Sequence, residues 1–201
     1  MKKLVTTFVA FGLFAAGAQA QNLRLGPNSV DVKKVEVEVQ KTPQFQAGGV
    51  NNKNIPNPRD WLEVEVEFEV DARAPDNAVV GELLFRYYIG FKDQRGTGRT
   101  ITGDVKHKNV MIGEETYSAV YVSPDTLGEI TGEYSNFQSS DVAAVGVEIF
   151  YNGVLVGGYS SLSGTKAKFW EATGTGPGIL SKHETPFALL WIDRYADVDK
   201  N

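Results

Sequence analysis

The chain has no cysteine in 201 residues. That absence excludes disulfides, thiolate metal sites, a cysteine nucleophile and a lipid-anchored N-terminal cysteine. Histidine is nearly absent, with only His107 and His183. They form no HxH or HExxH pair, which removes the common helical zinc signature. There is no GxSxG, and so no nucleophile elbow of a serine hydrolase. The run from Gly174 to Gly178 is glycine-rich, but no helical pattern follows it, so it is read as a loop and not as a phosphate cradle. The net charge of −5 lacks the basic excess that nucleic acid requires. Beyond the first twenty residues, no apolar run approaches membrane-spanning length.

The first twenty residues read MKKLVTTFVAFGLFAAGAQA. A basic start at Lys2 and Lys3, an apolar core from Leu4 to Phe14 and a small-x-small site at Ala18-Gln19-Ala20 make a secretory signal peptide. The alternative is an uncleaved N-terminal anchor. Cleavage after Ala20 leaves residues 21–201 as the expected single domain, with a net charge of −7 once both lysines are gone. That is long enough for a real hydrophobic core, on which a secreted chain without disulfides must depend.

Two-residue alternation dominates the rest. Val30–Gln40, Trp61–Val70, Val79–Phe91, Thr100–Ile112, Thr116–Val122, Asp141–Tyr151, Val154–Ser160, Lys166–Glu171 and Pro186–Tyr195 are the expected strands. Asn152-Gly153 between apolar runs predicts a tight hairpin. The single plausible helix starts near Ser123-Pro124-Asp125, with Ser123 as its cap. Eight or nine regularly spaced strands with almost no helix predict an all-β, immunoglobulin-like antiparallel sandwich, with a jelly roll as the alternative. The longest irregular stretch is 41–60, and loops of that length are often functional or disordered.

The most conspicuous pattern is WLEVEVEFEV, Trp61 to Val70. Glu63, Glu65, Glu67 and Glu69 share one face of a strand, about 6.6 Å apart. Glu36 and Glu38 repeat the motif in the first strand. The simplest reading is the wet face of a sheet. Like charges placed opposite each other destabilise a sheet, so the expected neighbour is basic: Lys106 and Lys108 alternate suitably, with Lys33 and Lys34 serving one end. The functional reading is an acidic strip for a basic partner or a divalent cation.

Other candidates are weaker. His107, between Lys106 and Lys108, and His183 are read as surface residues. The final Asp197-Val198-Asp199-Lys200-Asn201 is read as a solvated tail. Twenty-five acidic residues make any carboxylate pair unspecific as a glycosidase signature. No residue is singled out as catalytic, cofactor-binding or metal-ligating, and no cofactor is expected. Tyr87, Tyr121, Trp170 and Trp191 are the aromatics from which a sugar-stacking face would come.

The export signal, the passage NIPNPRDWLEVEVEFEV and the ending PFALLWIDRY together resemble secreted pilus-like proteins of the Verrucomicrobia, the Akkermansia group. That resemblance implies an immunoglobulin-like fold and an association with type IV pilus genes. It supplies no site residues. A true pilin keeps its apolar N-terminal helix, whereas this one is expected to be removed, so the resemblance implies an accessory or surface role, or an association of gene locus only. The expected function is therefore that of a non-enzymatic exported protein, located in the periplasm, at the cell surface or outside. It would act by contact with envelope or pilus proteins or with itself, through 41–60, the Asn152-Gly153 hairpin or an exposed sheet edge. A carbohydrate- or mucin-binding module is the alternative. An enzyme would instead show a deep pocket holding a carboxylate of raised pKa.

Overall fold

The computed structural model describes residues 23–45, 55–75, 77–92 and 98–200. The expected signal peptide, residues 46–54 of the 41–60 stretch and the turn at Arg95-Gly96-Thr97 lie outside the described residues, as do Asp76 and Asn201.

Among the described residues, nine strands form two sheets packed as a sandwich. In chain order they are β1 (Val30–Lys41), β2 (Asp60–Val70), β3 (Val79–Phe91), β4 (Arg99–Met111), β5 (Glu115–Val122), β6 (Val142–Tyr151), β7 (Val154–Ser160), β8 (Thr175–Pro177) and β9 (Leu180–Ser181). The first sheet has the order β1-β2-β5-β9, and the second β7-β6-β3-β4-β8. All pairings are antiparallel except the short β4–β8 pair.

Alternation decides what goes inside. Val64, Val66 and Phe68 of β2 meet Phe85, Tyr87 and Ile89 of β3 in one core. Each buried side chain of this size contributes about 1.5–3 kcal/mol relative to exposure. At the β6–β7 turn, Asn152 and Gly153 have φ of 49° and 78°, as a two-residue type I′ hairpin demands. Helix α1 spans Pro124–Thr131, and Ser123 Oγ accepts from Thr126 N–H at its start.

Two expected strands are not strands. Lys166–Glu171 becomes a 3-10 turn and a one-turn helix, α2 (Phe169–Ala172). Its Trp170 lies flat on Tyr88, centroids 4.4 Å apart and planes 3° apart, on the outer face of the second sheet. Pro186–Tyr195 becomes a chain of turns ending in a 3-10 turn at Ile192–Arg194. Its inward residues, Phe187 and Leu190, are three apart, which suits turns and not the two-residue period of a strand.

The tail is docked by its backbone, although Asp197 and Lys200 remain exposed. Lys108 N–H donates to Asp197 O at 2.9 Å, and Asp199 N–H donates to Lys106 O at 2.8 Å. Just before, Ala196 N–H donates to Tyr117 O at 2.9 Å. The C-terminal segment thus ties the free edge of β5 to the free edge of β4. It covers edges that would otherwise invite pairing with another chain.

His107 is not a surface residue. It is 1% exposed, because alternation turns it inward while Lys106 and Lys108 face out. Burial lowers its pKa to about 4. Its Nε2 lies 2.6 Å from Ser118 Oγ, which also accepts from Tyr87 Oη at 2.5 Å. This resembles a Ser–His dyad in geometry alone. Ser118 is fully buried between the sheets, and no substrate can reach it. His183 is half-buried, with Nδ1 2.9 Å from Ser181 Oγ.

Candidate functional site

The glutamate row is not countered by Lys106 and Lys108. Lys106 and Lys108 lie on β4, in the other sheet. They pair there with Glu82 and Asp199. The true neighbour of β2 is β1, and the register sets Glu36 opposite Glu65 and Glu38 opposite Glu63. Like charges therefore do face each other, the arrangement that sheets usually avoid. Lys33 and Lys34 serve one end as expected. Lys33, at a bulge in β1, reaches Glu69 at 3.1 Å, and Lys34 reaches Glu36 at 2.7 Å.

The other counter-charge comes from the C-terminal segment. Arg194 donates to Glu65 at 2.6 Å, and its guanidinium stands 3.7 Å from the centre of the Tyr117 ring. Tyr195 Oη donates to the same carboxylate at 2.7 Å. Burial opposes ionisation of Glu65, but these two hydrogen bonds outweigh it and hold its pKa below the ordinary carboxylate value.

Glu63 is in the opposite condition. It is only 5% exposed. Its Oε1 has one long contact, 3.5 Å from Tyr195 Oη. Its Oε2 is buried and makes no hydrogen bond. Burial first, then the charge of Glu65, raise its pKa. Tyr121 and Gln40 are near enough to ease the charge, but neither meets Oε2 with hydrogen-bond geometry. Tyr121, directly across on β5, has its own hydroxyl buried without a partner. Burial and the nearby Glu63 charge raise its pKa too. Glu38 accepts only a 3.3 Å bond from Gln40, and among the described residues no cation pairs with it.

These groups open into a cavity of about 380 Å³. Glu36, Glu38, Glu63 and Glu65 line it on one side, and Trp191, Arg194 and Tyr195 on the other. The loop carrying Trp191 is pinned from below. Buried Lys182 donates to the carbonyls of Ala188 and Leu190, and Phe187 stacks on Tyr121 at 4.6 Å. Trp191 has φ 49° and ψ 41°, a left-handed conformation that a bulky side chain rarely takes. The loop displays three large apolar side chains: Leu189 is 76% exposed, Trp191 57% and Ile192 61%.

Of the four aromatics named from sequence, Tyr87 and Tyr121 are fully buried and Trp170 is packed on Tyr88. Trp191 alone of the four is well exposed. Among the described residues, no three carboxylate or histidine side chains converge to hold a metal ion. An enzyme is expected to show a deep pocket holding a carboxylate of raised pKa; Glu63 has the raised pKa and lines the cavity of about 380 Å³.

A protein-family model matches residues 21–201. A crystal structure of a protein from Akkermansia muciniphila is similar to this chain at 30% identity, with a TM-score of 0.74. The match covers 86% of this chain and 93% of that one. The chain belongs to this family. No curated protein matches. Among the described residues, no helix is long and apolar enough to cross a membrane.

Proposed function

We propose that this chain is an exported, non-enzymatic sandwich protein of the cell envelope, which works by contact with another protein. The observation that carries this reading is the loop at 189–192. Three large apolar side chains stand in solvent on a segment clamped by Lys182, Arg194 and Tyr195. A fixed loop displaying Leu, Trp and Ile suits a protein interface, where a central aromatic anchor carries much of the energy. Removal of residues 1–20 fits a family match that begins at Gln21. The strand order, with β1-β2-β5 facing β7-β6-β3, supports an immunoglobulin-like connectivity in which the fourth strand joins the second sheet. Association with pilus components rests on the resemblance of sequence.

The test is cross-linking in intact cells followed by mass spectrometry, comparing the natural chain with a Leu189→Ser, Ile192→Ser variant. Cross-links from Lys200 or Lys108 to envelope proteins, lost in the variant, are the expected result. A partner captured equally by both chains would move the interface elsewhere.

A second reading, a glycan-binding module, is favoured by one feature. The exposed indole of Trp191 stands beside carboxylates able to accept sugar hydroxyls. Binding on a mucin glycan array that vanishes with Trp191→Ala would establish it.

A further inference from the structure

Between β1 and β2, the outer face of the first sheet carries two cross-strand glutamate pairs, one step apart along the strands. Glu36–Glu65 has its cations: Lys34 on one carboxylate and Arg194 on the other. Glu38–Glu63 has none among the described residues, although it faces the same cavity and includes the more buried carboxylate. Oε2 of Glu63 is left without a partner at the inner end. Trp191 lines the same cavity.

We propose that the Glu38–Glu63 pair receives an arginine side chain from a protein partner, its guanidinium bonded to both carboxylates and stacked against Trp191. The inference rests on the protein-contact reading above and names the group that the contact delivers. The filled pair shows part of this chemistry, with Arg194 on Glu65 and Lys34 on Glu36. Arg194 binds a carboxylate with two nitrogens while its plane lies on an aromatic ring. A planar fork of N–H donors fits two carboxylates in a way that the compact ammonium of lysine does not. Charge complementarity selects the same occupant. The cavity is rich in carboxylates, and its one lining cation, Arg194, is already spent on Glu65. A volume of about 380 Å³ lies at the lower end for ligand sites, suited to one long side chain. The apolar neighbours Leu189 and Ile192 would then contact the residues flanking that arginine.

The experiment is a titration of the purified, isotopically labelled protein, observing the indole N–H of Trp191 by NMR. The probes are Nα-acetyl-arginine amide, its lysine counterpart and its uncharged citrulline counterpart. The arginine probe should shift the Trp191 signal, bind at least threefold tighter than the lysine probe, and weaken as salt is raised. The citrulline probe should leave the signal in place. Glu63→Gln and Glu38→Gln should each weaken arginine binding at least tenfold, while Glu82→Gln, exposed on β3 of the second sheet, should not. Equal binding of arginine and citrulline probes, or full binding to Glu63→Gln, would overturn the proposal. Equal binding of arginine and lysine would overturn its guanidinium part. Probe binding without cellular cross-links would keep the pocket and remove the envelope partner. Cross-links that survive both glutamine variants, with no probe binding, would do the reverse.

Discussion

Replacing Glu63 by glutamine keeps the shape of the side chain and removes its charge. In the native protein that charge sits nearly buried, opposite Glu38 and two residues from Glu65. Two penalties vanish with it. A buried acceptor left without a partner costs about 1–3 kcal/mol. Like charges directly opposite across a sheet cost up to about 1 kcal/mol. The new amide must find its own acceptor, and the buried hydroxyl of Tyr121, opposite on β5, is the nearest one without a partner. The net expectation is a gain of about 1 kcal/mol at pH 7, or about 2–4 °C in Tm for a chain of this length. The gain depends on pH. Burial and Glu65 raise the pKa of Glu63 in the folded state, so the folded chain holds this proton where the unfolded chain, with a pKa of about 4.3, has released it. The contribution of Glu63 is then most favourable below the unfolded pKa and is lost as pH rises through the folded one. Variant and natural chain should coincide near pH 4 and separate toward pH 7. Urea unfolding followed by tryptophan fluorescence at pH 4, 5.5 and 7, with unchanged m, measures this. A variant less stable than the natural chain at pH 7, or a gap that does not close toward pH 4, would refute the reasoning. Either result would mean that Glu63 is ionised and satisfied from within the fold.

His107 should act in the opposite direction. Its folded pKa of about 4 lies below the unfolded value of about 6.5, so its contribution is full above pH 6.5 and lost as pH falls toward 4. The loss is about 3 kcal/mol, and His107→Gln should flatten the stability–pH curve in that window by about one proton. An unchanged slope in urea titrations would place the proton uptake elsewhere. Trp191→Asn should raise stability by about 0.5–1 kcal/mol, since asparagine tolerates a φ of 49° far better and the indole is mostly exposed. The same variant should lose partner binding, and a fall in Tm would show that the indole is a structural element. Gly146→Ala sets a Cβ 2.1 Å from the Trp170 ring, so Trp170 must leave its stack on Tyr88. A loss of about 1–3 kcal/mol and a reduced near-UV circular dichroism signal are expected.

Much of the frame was legible because its signals are local. Alternation located β1 to β7, Asn152-Gly153 placed their last hairpin, and Ser123-Pro124 opened the helix. The register of the glutamates was not legible, because it depends on which strands pair. The rule that like charges avoid each other pointed to Lys106 and Lys108. A competing rule, that consecutive strands are usually neighbours, would have set Glu38 opposite Glu63. The protein follows the second rule and relieves one of the two resulting clashes with Arg194, 129 residues from Glu65 in sequence. Nothing local in PFALLWIDRY announces that contact. Its three-residue spacing of inward residues did argue against a strand, and alternation through DVKHKN already aimed His107 inward between two outward lysines.

Four unfavourable features meet at this one place. Two carboxylate pairs oppose each other, a buried oxygen has no partner, a tryptophan takes a left-handed backbone, and three apolar side chains face water. Each departs from the rules that the rest of the sandwich obeys, and such departures gather where a protein does its work. A purely structural origin would have to explain why the fold relieves one glutamate pair with Lys34 and Arg194 yet leaves the adjacent pair alone. Single substitutions at Glu63 or Trp191 should relieve the strain, and a site of no use has no reason to keep it. The decisive pattern is therefore a joint one. If Glu63→Gln and Trp191→Asn both stabilise the chain and both abolish binding, the destabilising features are the binding site. If they stabilise it and binding persists, the acidic cavity is a tolerated defect and the contact lies elsewhere on the sandwich.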